Sequence, residues 1–517
     1  MKMMERFKIN FSKFRASHKS VLRAIILVAA LSLICLSAVE IAFSWKTDRY
    51  VSHASAVYIT LANDLVDGTF YPPYFGENGY RGTRYLPLYF SSHAGLIKLL
   101  GDPLKAGYLL GSIAGVLLLV GIYKFIRKIG GNFYMAFGFM ASVFGCALTP
   151  ILMTSIRGDI LPAALNICGL ALFVGSCELS KKRLVTIALI FSLVFAAKIT
   201  SIFGVTAVCV VLLFQRKIKE SIMLALMTLL GFSLVIGISQ FLSEGRFIEG
   251  VWGVAAAGSS LEGWLKIPTR IRDIMLYLDG VTCLFLGLGV ATFVVLPKQQ
   301  RTHVSTVYFL LVVFVTTISF SNPGLHINHF LEPLAASVLL IASMLVIRKD
   351  RFEVFALGAI ASVLIIAVGI AFTSPRRGRG QEQQKRYAAA IENLKEVKGP
   401  ILSDNSYIPT LMGQKPFMLD AFVFRMIREK KPSSSSFAAP LFDRLERRWF
   451  EAIVLEKWAA SIPGLHFGKG FYETVERNYC LAKETKHWLF YFRCDEKKSI
   501  SDSMEISQIS GKVLPNE

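Results

Sequence analysis

The chain has 517 residues, of which 53% are hydrophobic and only 18% are charged, and its mean hydropathy is +0.51. These values are too apolar for a soluble protein of this length and predict an α-helical polytopic membrane protein. A formal net charge of +21 would fit nucleic-acid binding, but the basic residues lie in short clusters beside apolar runs. Such clusters orient helices against lipid head groups, so we expect membrane lipids and no nucleic acid as partners.

The N-terminal segment, residues 1–23, is basic and precedes an apolar run of about 20 residues, enough to cross the hydrocarbon core. This run is longer than the core of a signal peptide, and no small-residue cleavage site follows it. We therefore predict a retained first span with its N-terminus in the cytoplasm.

About eleven apolar stretches within residues 24–373 are long enough, or nearly so, to cross a membrane. They are residues 24–44, 104–125, 133–153, 160–178, 184–197, 199–215, 221–241, 280–297, 304–320, 329–347 and 353–373. The fifth and sixth are short and only Lys198 separates them, so we expect two short helices that meet at the outer face. The alternative is one long kinked element.

Basic clusters support this topology. With the N-terminus inside, the cytoplasmic connections carry KFIRK (124–128), SKKR (180–183), QRKIK (215–219), PKQQR (297–301) and RKDR (348–351). One cluster, RRGRG (376–380), falls outside, where the positive-inside bias is weak for long tails. The long loops, residues 45–103 and 242–279, are then both on the outer face and mix aromatic with charged side chains, as interfacial segments do. We expect the function on that face.

The composition becomes that of a soluble domain from residue 374. Helical and strand-like patterns up to residue 495 predict a small extracytoplasmic α/β domain, and the polar residues 496–517 predict a disordered tail. Cys480 and Cys494 lie in this domain. They would be able to form a disulfide if the domain lies outside the cytoplasm.

Ionisable side chains near membrane depth are costly and invite a functional explanation. Asp159, in SIRGDILP, opens the fourth apolar stretch, and an ion pair with Arg157 is the alternative to a catalytic role. Lys198 lies between two short helices, where it is placed to hold a phosphate, although a lysine near a helix end also reaches head groups by snorkelling.

A short outer turn, GLHINHFLEP (324–333), contains His326, Asn328, His329 and Glu332. Their spacing fits no strong zinc pattern. We therefore expect these side chains to hydrogen-bond a substrate head group, with helix capping by Asn328 as the alternative.

The first outer loop offers several further candidates. RGTRYLP (81–87) places Arg81 and Arg84 beside Tyr85, and arginine forks suit phosphate, although arginines next to aromatics are also ordinary interface anchors. The acid or base candidates in this loop are Asp48, His53, Asp64 and Asp67. No Walker A loop, Rossmann glycine pattern or nucleophile elbow occurs, which disfavours ATP-driven transport and hydrolase chemistry.

Four local marks occur in order along the chain: LANDLVDGTFYPP followed by RYLPLYF, then RGDILP, FAAKIT and NHFLEPLA. Together with the basic N-terminus, the long first outer loop and the terminal α/β domain, this order resembles the C superfamily of integral-membrane glycosyltransferases. The resemblance covers most of the chain. It is to the bacterial branch that includes the protein O-mannosyltransferases and the aminoarabinose transferase of lipid A.

This resemblance implies an enzyme of the bacterial inner membrane that takes a sugar from a polyprenyl phosphate. An acid in the first outer loop would deprotonate an envelope acceptor (lipid, glycan or protein), which attacks the anomeric carbon with inversion. By position, Lys198 is implied as a donor-phosphate ligand with Arg84 and Arg270 as helpers. Asp159 is implied as the second-loop acid, with Arg157 and Tyr85 as substrate contacts.

The chain departs from the family pattern in the first outer loop. An acidic pair is expected before the glycine that matches Gly68, but the segment reads VSHASAVY, with His53 and no carboxylate. Asp48, Asp64 or Asp159 would then supply the base, or the protein only binds a lipid-linked glycan. A transporter or flippase is a further alternative, although no convincing internal repeat supports it. The sequence identifies no cofactor, and dependence on a divalent cation, Mg²⁺ or Mn²⁺, stays open.

Overall fold

The computed structural model describes residues 2–47, 51–76, 79–175, 179–255, 261–322, 324–347, 349–373, 380–430, 435–462 and 464–494. Asp48, most of the RRGRG cluster and the tail from residue 496 lie outside these ranges. The chain forms two compact units. The first, here the helical unit, comprises Met1–Val51, Tyr85–Ser239 and Ser259–Gly380; the second, the mixed unit, comprises Ser52–Arg84, Gln240–Gly258 and Gln381–Glu517.

The first seventeen helices extend from the N-terminus to the end of the apolar region. They are α1 (Lys2–Thr47), α2 (His53–Val66), α3 (Pro87–Leu100), α4 (Pro103–Lys128), α5 (Phe133–Gly145), α6 (Leu148–Thr154), α7 (Ile160–Phe173), α8 (Lys181–Ala197), α9 (Phe203–Phe214), α10 (Ile218–Leu242), α11 (Arg246–Ala255), α12 (Leu261–Leu265), α13 (Ile267–Met275), α14 (Gly280–Val294), α15 (Val304–Ser319), α16 (Leu331–Ile347) and α17 (Lys349–Thr373). Short 3₁₀ turns cover Ile199–Ser201, Lys298–Gln300 and Ile327–Phe330.

The remaining elements follow residue 380. They are α18 (Gly380–Leu394), β1 (Ile401–Ser403), α19 (Tyr407–Leu411), α20 (Ala421–Lys430), α21 (Ser435–Glu446), β2 (Ala452–Glu456), α22 (Lys457–Ala460), α23 (Phe471–Asn478), β3 (Tyr479–Glu484) and β4 (Trp488–Arg493).

Each apolar stretch predicted to span the membrane is largely helical in its described part. Among the described residues, five helices are long and apolar enough to cross a membrane, or six if α5 and α6, bent by 65°, count as one span. Four shorter apolar helices accompany them. The protein is thus a polytopic helical membrane protein, as predicted, whereas the number of eleven crossings stays a prediction.

Polar contacts show which helix termini share one end of the helical unit. Glu353, near the start of α17, pairs with Lys19 in α1 and accepts a 3.4 Å hydrogen bond from Asn132, which precedes α5. At the same end, Lys128 is the last residue of α4, and its Nζ donates a 2.8 Å hydrogen bond to the carbonyl oxygen of Ala171 in α7. The residues just before α7 therefore lie towards the opposite end, about 21 Å away for a helix of 14 residues.

A row of glycines on α4 receives α6. A Cβ at Gly111 would lie 2.4 Å from the carbonyl oxygen of Met153, and one at Gly115 would meet the side chain of the same methionine. Small residues four apart allow helix backbones to approach closely in a membrane. Gly107 extends the row to Ile156, which has a φ of +47°, an uncommon conformation for a β-branched residue. Helix packing therefore fixes the turn that leads to α7.

The mixed unit contains a four-stranded sheet in the order β1-β2-β4-β3, in which β1 and β2 are parallel and the other pairs antiparallel. This confirms the predicted small α/β fold. Cys480 in β3 and Cys494 after β4 form a disulfide, which the sequence had left conditional. Ser52–Arg84, part of the loop predicted to lie on the outer face, belongs to this unit. Tyr80 exchanges backbone hydrogen bonds with Phe417 and Leu419, of 2.7 and 2.9 Å.

Candidate functional site

Three charged side chains meet where α7 begins. An oxygen of the Asp159 carboxylate accepts a 2.8 Å hydrogen bond from Lys198 Nζ, and the other oxygen lies 3.3 Å from Arg157 Nε. Lys198 follows the end of α8 and has an extended backbone, with φ of −161° and ψ of 115°. Its side chain therefore leaves the chain at a break between two helices, as the sequence predicted. The Arg157–Asp159 ion pair is not isolated, because Lys198 pairs with the same carboxylate.

The electrostatics of Asp159 favour its ionised form. Burial alone would raise its pKa, but the positive charges of Lys198 and Arg157 outweigh burial and hold the pKa of this carboxyl well below its ordinary value. A general base works best when its pKa is near the operating pH, so this carboxylate is better suited to orienting two cations than to removing a proton.

A second carboxylate, Glu332 in the first turn of α16, lies in the same polar cavity. Its Oε1 accepts a 2.7 Å hydrogen bond from Asn166 Nδ2, and its Oε2 accepts one of 3.2 Å from Ser201 Oγ. The cavity is lined by Asp159, Lys198, Thr200, Ser201, Phe203, Thr316, Ser319, Asn328, His329, Leu331 and Glu332. The structure thus brings five of the predicted site residues to one cavity: Asp159, Lys198, Asn328, His329 and Glu332.

Asn328 and His326 complete the predicted turn. The Asn328 carboxamide oxygen is buried and has no hydrogen-bond partner among the described residues, so it does not cap the following helix. Burial, together with the nearby Arg157, lowers the pKa of His326, which therefore favours the neutral imidazole. The Asn328 oxygen and the His326 imidazole are therefore groups of this turn that can hydrogen-bond a ligand.

Arg270, predicted as a helper at the donor phosphate, contacts backbone carbonyl oxygens in this structure. Its guanidinium donates to the carbonyl oxygens of Phe320 and Ser321, at 2.9 and 2.6 Å, and so caps the C-terminal end of α15. Its predicted role as a phosphate ligand stays a prediction, as do those of Arg84 and Tyr85, which are half-buried.

Other predicted residues lie in the mixed unit. Arg81 pairs with both carboxylate oxygens of Asp64, and both side chains are buried. Burial raises the pKa of Asp64, against the opposing charge of Arg81. The ring of His53 lies 5.0 Å from that of His466. The Nε2 atom of His53 is buried and has no hydrogen-bond partner in the described chain. The candidates therefore form two groups, one in each unit.

A buried network follows the two parallel strands of the mixed unit. Asp404, just after β1, accepts a 3.0 Å hydrogen bond from the backbone N–H of Glu456 and lies 2.8 Å from His466 Nδ1. Glu456, the last residue of β2, also accepts from Asn405 at 2.7 Å and pairs with Arg386. Burial would lower the pKa of His466, but Asp404 outweighs burial and raises it.

Sequence reasoning missed Asn166, Ser201 and the network around Asp404. An asparagine within an apolar helix was a usable signal, because a buried amide needs partners. For Asp404, the signal was its place after a predicted strand, since the carboxyl ends of parallel strands collect polar groups. No three His, Cys, Asp or Glu side chains among the described residues are arranged to hold a metal ion.

Comparisons with known proteins concern the fold. No protein-family model and no curated protein matches the sequence. The structure is similar to that of ArnT from Cupriavidus metallidurans bound to undecaprenyl phosphate, with a TM-score of 0.54 and 10% identity, over 89% of this chain and 97% of that chain. The chain therefore has an ArnT-like fold. The resemblance predicted from the sequence is thus confirmed at the level of fold.

Two structures from Archaeoglobus fulgidus have a similar fold. One is the oligosaccharyltransferase tethered with an acceptor peptide, with a TM-score of 0.52 and 13% identity over 89% of this chain and 72% of that chain. The other is the oligosaccharyltransferase AglB in complex with an inhibitory peptide and a dolichol-phosphate, with a TM-score of 0.51 and 11% identity over 86% and 70%. Identities this low transfer no residue roles.

Proposed function

We propose that the protein is an inverting glycosyltransferase that moves a sugar from a polyprenyl-phosphate donor to an envelope acceptor. The observation that carries this proposal is Lys198, which is held by Asp159 in a break between two apolar helices and has Arg157 beside the same carboxylate. Within this cluster two cations face one carboxylate, so the charge of Asp159 balances only one of them and the other is placed to meet a lipid phosphate. Similar folds were solved with undecaprenyl phosphate and with a dolichol-phosphate, which supports a lipid-linked substrate.

The proposed chemistry uses these cations in the transition state. As the bond between the anomeric carbon and the phosphate oxygen breaks, negative charge grows on the leaving lipid phosphate. Lys198 and Arg157 would stabilise that charge, which lowers the barrier because the stabilisation is greatest in the transition state. Asp159 would orient both cations.

The acceptor hydroxyl attacks the anomeric carbon from the opposite face, and its proton passes to a base. We assign the base to the first outer loop, where Asp48, Asp64 and His53 are the candidates. Both oxygens of Asp64 are held by Arg81. His53 has a ring nitrogen with no hydrogen-bond partner among the described residues, so it is the described candidate with an available basic atom.

The proposal also includes a membrane topology. The N-terminus would be cytoplasmic, the site with Lys198 would face the outer side of the bacterial inner membrane, and residues 374–495 would form an extracytoplasmic domain. The basic clusters between the apolar stretches support this orientation. A reporter fused to the C-terminus tests it, because a cytoplasmic signal would overturn the assignment.

Transfer of label from polyprenyl-phosphate sugars to envelope fractions tests the function. We expect Lys198→Ala to reduce transfer about 100-fold, since it removes a charge-assisted contact to the leaving phosphate. Lys105→Ala is the matched control, because Lys105 is exposed and pairs only with Asp102 among the ion pairs of the described residues. Equal transfer by wild type and Lys198→Ala would refute the site. Binding of the lipid without transfer to any acceptor would favour a flippase or a glycan-binding protein.

A further inference from the structure

Asn166 is a fully buried amide in the apolar helix α7, where an unpaired polar group would be costly. Its Nδ2 donates to the carbonyl oxygen of Ser201 and to Oε1 of Glu332, both at 2.7 Å. The two hydrogens of one amide nitrogen are thereby both used. One side chain therefore joins α7 to the chain after α8 and to the start of α16.

The contact at Ser201 reaches Lys198 through the backbone. The N–H of Ser201 donates to the carbonyl oxygen of Lys198 at 3.1 Å, which closes the short turn after the lysine. Ser201 Oγ also donates to Glu332 at 3.2 Å. Asn166, Ser201 and Glu332 thus form a closed set of hydrogen bonds, and the turn that carries Lys198 is fixed to two other helices.

Gly204 provides the space that this arrangement needs. A Cβ on Gly204 would lie 2.4 Å from Asn166 Oδ1 and 2.5 Å from the ring of Phe191. Both distances are far shorter than a carbon atom tolerates, so any larger residue would displace the amide as well as the ring. The sequence thus keeps a glycine on α9 opposite the asparagine on α7.

We propose that Asn166 is a positioning residue that holds Lys198 and Glu332 in the geometry required by the phosphate-linked donor. This inference rests on the proposed function, because it assigns the lysine to a phosphate. A lysine side chain is long and flexible, so its position depends on the backbone from which it starts. Fixing that backbone before the lipid binds avoids an ordering cost during binding.

The test compares two lipids that differ only in their head group. The Kd of the purified full-length protein is measured for undecaprenyl phosphate and for undecaprenol, and the ratio of the two values reports the contribution of the phosphate. We expect Asn166→Ala to reduce this ratio about tenfold, the effect of losing hydrogen bonds to charged or polar partners. Lys198→Ala should remove most of the ratio. Undecaprenol binding should change little in either variant.

Two further variants separate positioning from folding. Asn132→Ala removes the side-chain cap of α5 at the other end of the helical unit, so it should lower the Tm and leave the ratio unchanged. Gly204→Ala keeps every hydrogen-bonding group but displaces Asn166, so it should reduce the ratio in the same direction, even if Asn166→Ala fails to fold.

The outcomes distinguish this inference from the function on which it rests. If Lys198→Ala lowers the ratio while Asn166→Ala or, in its absence, Gly204→Ala keeps the wild-type ratio, the positioning role is overturned and the proposed function stands. If the wild-type protein binds both lipids equally, both proposals fail. An equal loss of the ratio in Asn132→Ala would also overturn the positioning role, because general destabilisation would then explain it.

Discussion

The substitution Gly111→Ala should disturb both the stability of the protein and the proposed lipid site. The added Cβ would lie 2.4 Å from the carbonyl oxygen of Met153, about 1 Å closer than packed atoms approach one another. Because that oxygen belongs to the backbone, α4 and α6 must separate. Overpacking of this kind costs about 1–3 kcal/mol.

Gly237 in α10 is the matched control, because a Cβ there would meet nothing within 4 Å. Exchange of glycine for alanine within an open helix gains about 1 kcal/mol. Because both exchanges gain this amount, the two alanine variants should differ in unfolding free energy by the overpacking cost, about 1–3 kcal/mol, with Gly111→Ala the less stable.

Thermal unfolding of the purified protein in one detergent measures this difference. The Tm should be lower for Gly111→Ala than for Gly237→Ala, whose Tm should equal or exceed that of wild type. Because α6 leads into the turn with Arg157 and Asp159, Gly111→Ala should also weaken binding of undecaprenyl phosphate. A Tm for Gly111→Ala equal to that of Gly237→Ala would refute the close packing of α4 on α6.

Two further predictions concern buried charges of the mixed unit. Asp64→Asn should destabilise the protein by about 3–5 kcal/mol because it leaves Arg81 buried and unpaired. A second substitution, Arg81→Leu, should recover much of this loss. If the effects of the two substitutions on thermal unfolding simply add in the double variant, the pairing is contradicted. Asp404 raises the pKa of His466 above its ordinary 6.5, so this pair stabilises the fold below that pH and less as the pH rises through the higher value. The fall in Tm of wild type between pH 6 and pH 9 should therefore be smaller in His466→Asn, and identical pH profiles would remove His466 as the cause.

Local signals account for what the sequence predicted correctly. Lys198 stood between two short apolar runs, and the break in the structure is at that residue. The Arg157–Asp159 pair was visible because the two residues are neighbours in the chain. Hydrophobic runs and charge clusters are local properties, so they can be read from one sequence.

The remaining features depend on contacts between distant parts of the chain. Asn166 contacts residues 35 and 166 positions away, and His466 is 62 positions from Asp404. The partner of Arg81 is also not readable from the sequence, because an arginine beside a tyrosine can bind a phosphate or a buried carboxylate equally well. Only the fold shows that Asp64 is its partner in this structure.

The break at Lys198 also has a consequence for the lipid around the protein. The helix that follows it, α9, has 12 residues and is about 18 Å long, whereas the hydrocarbon core is about 30 Å thick. Thinning of the bilayer beside the protein is one way in which such a mismatch is relieved. Thinning would draw the head groups towards the lysine, so that the phosphate of the proposed polyprenyl substrate would reach it without leaving the lipid phase. Binding should accordingly be stronger in bilayers of short acyl chains than in thick ones.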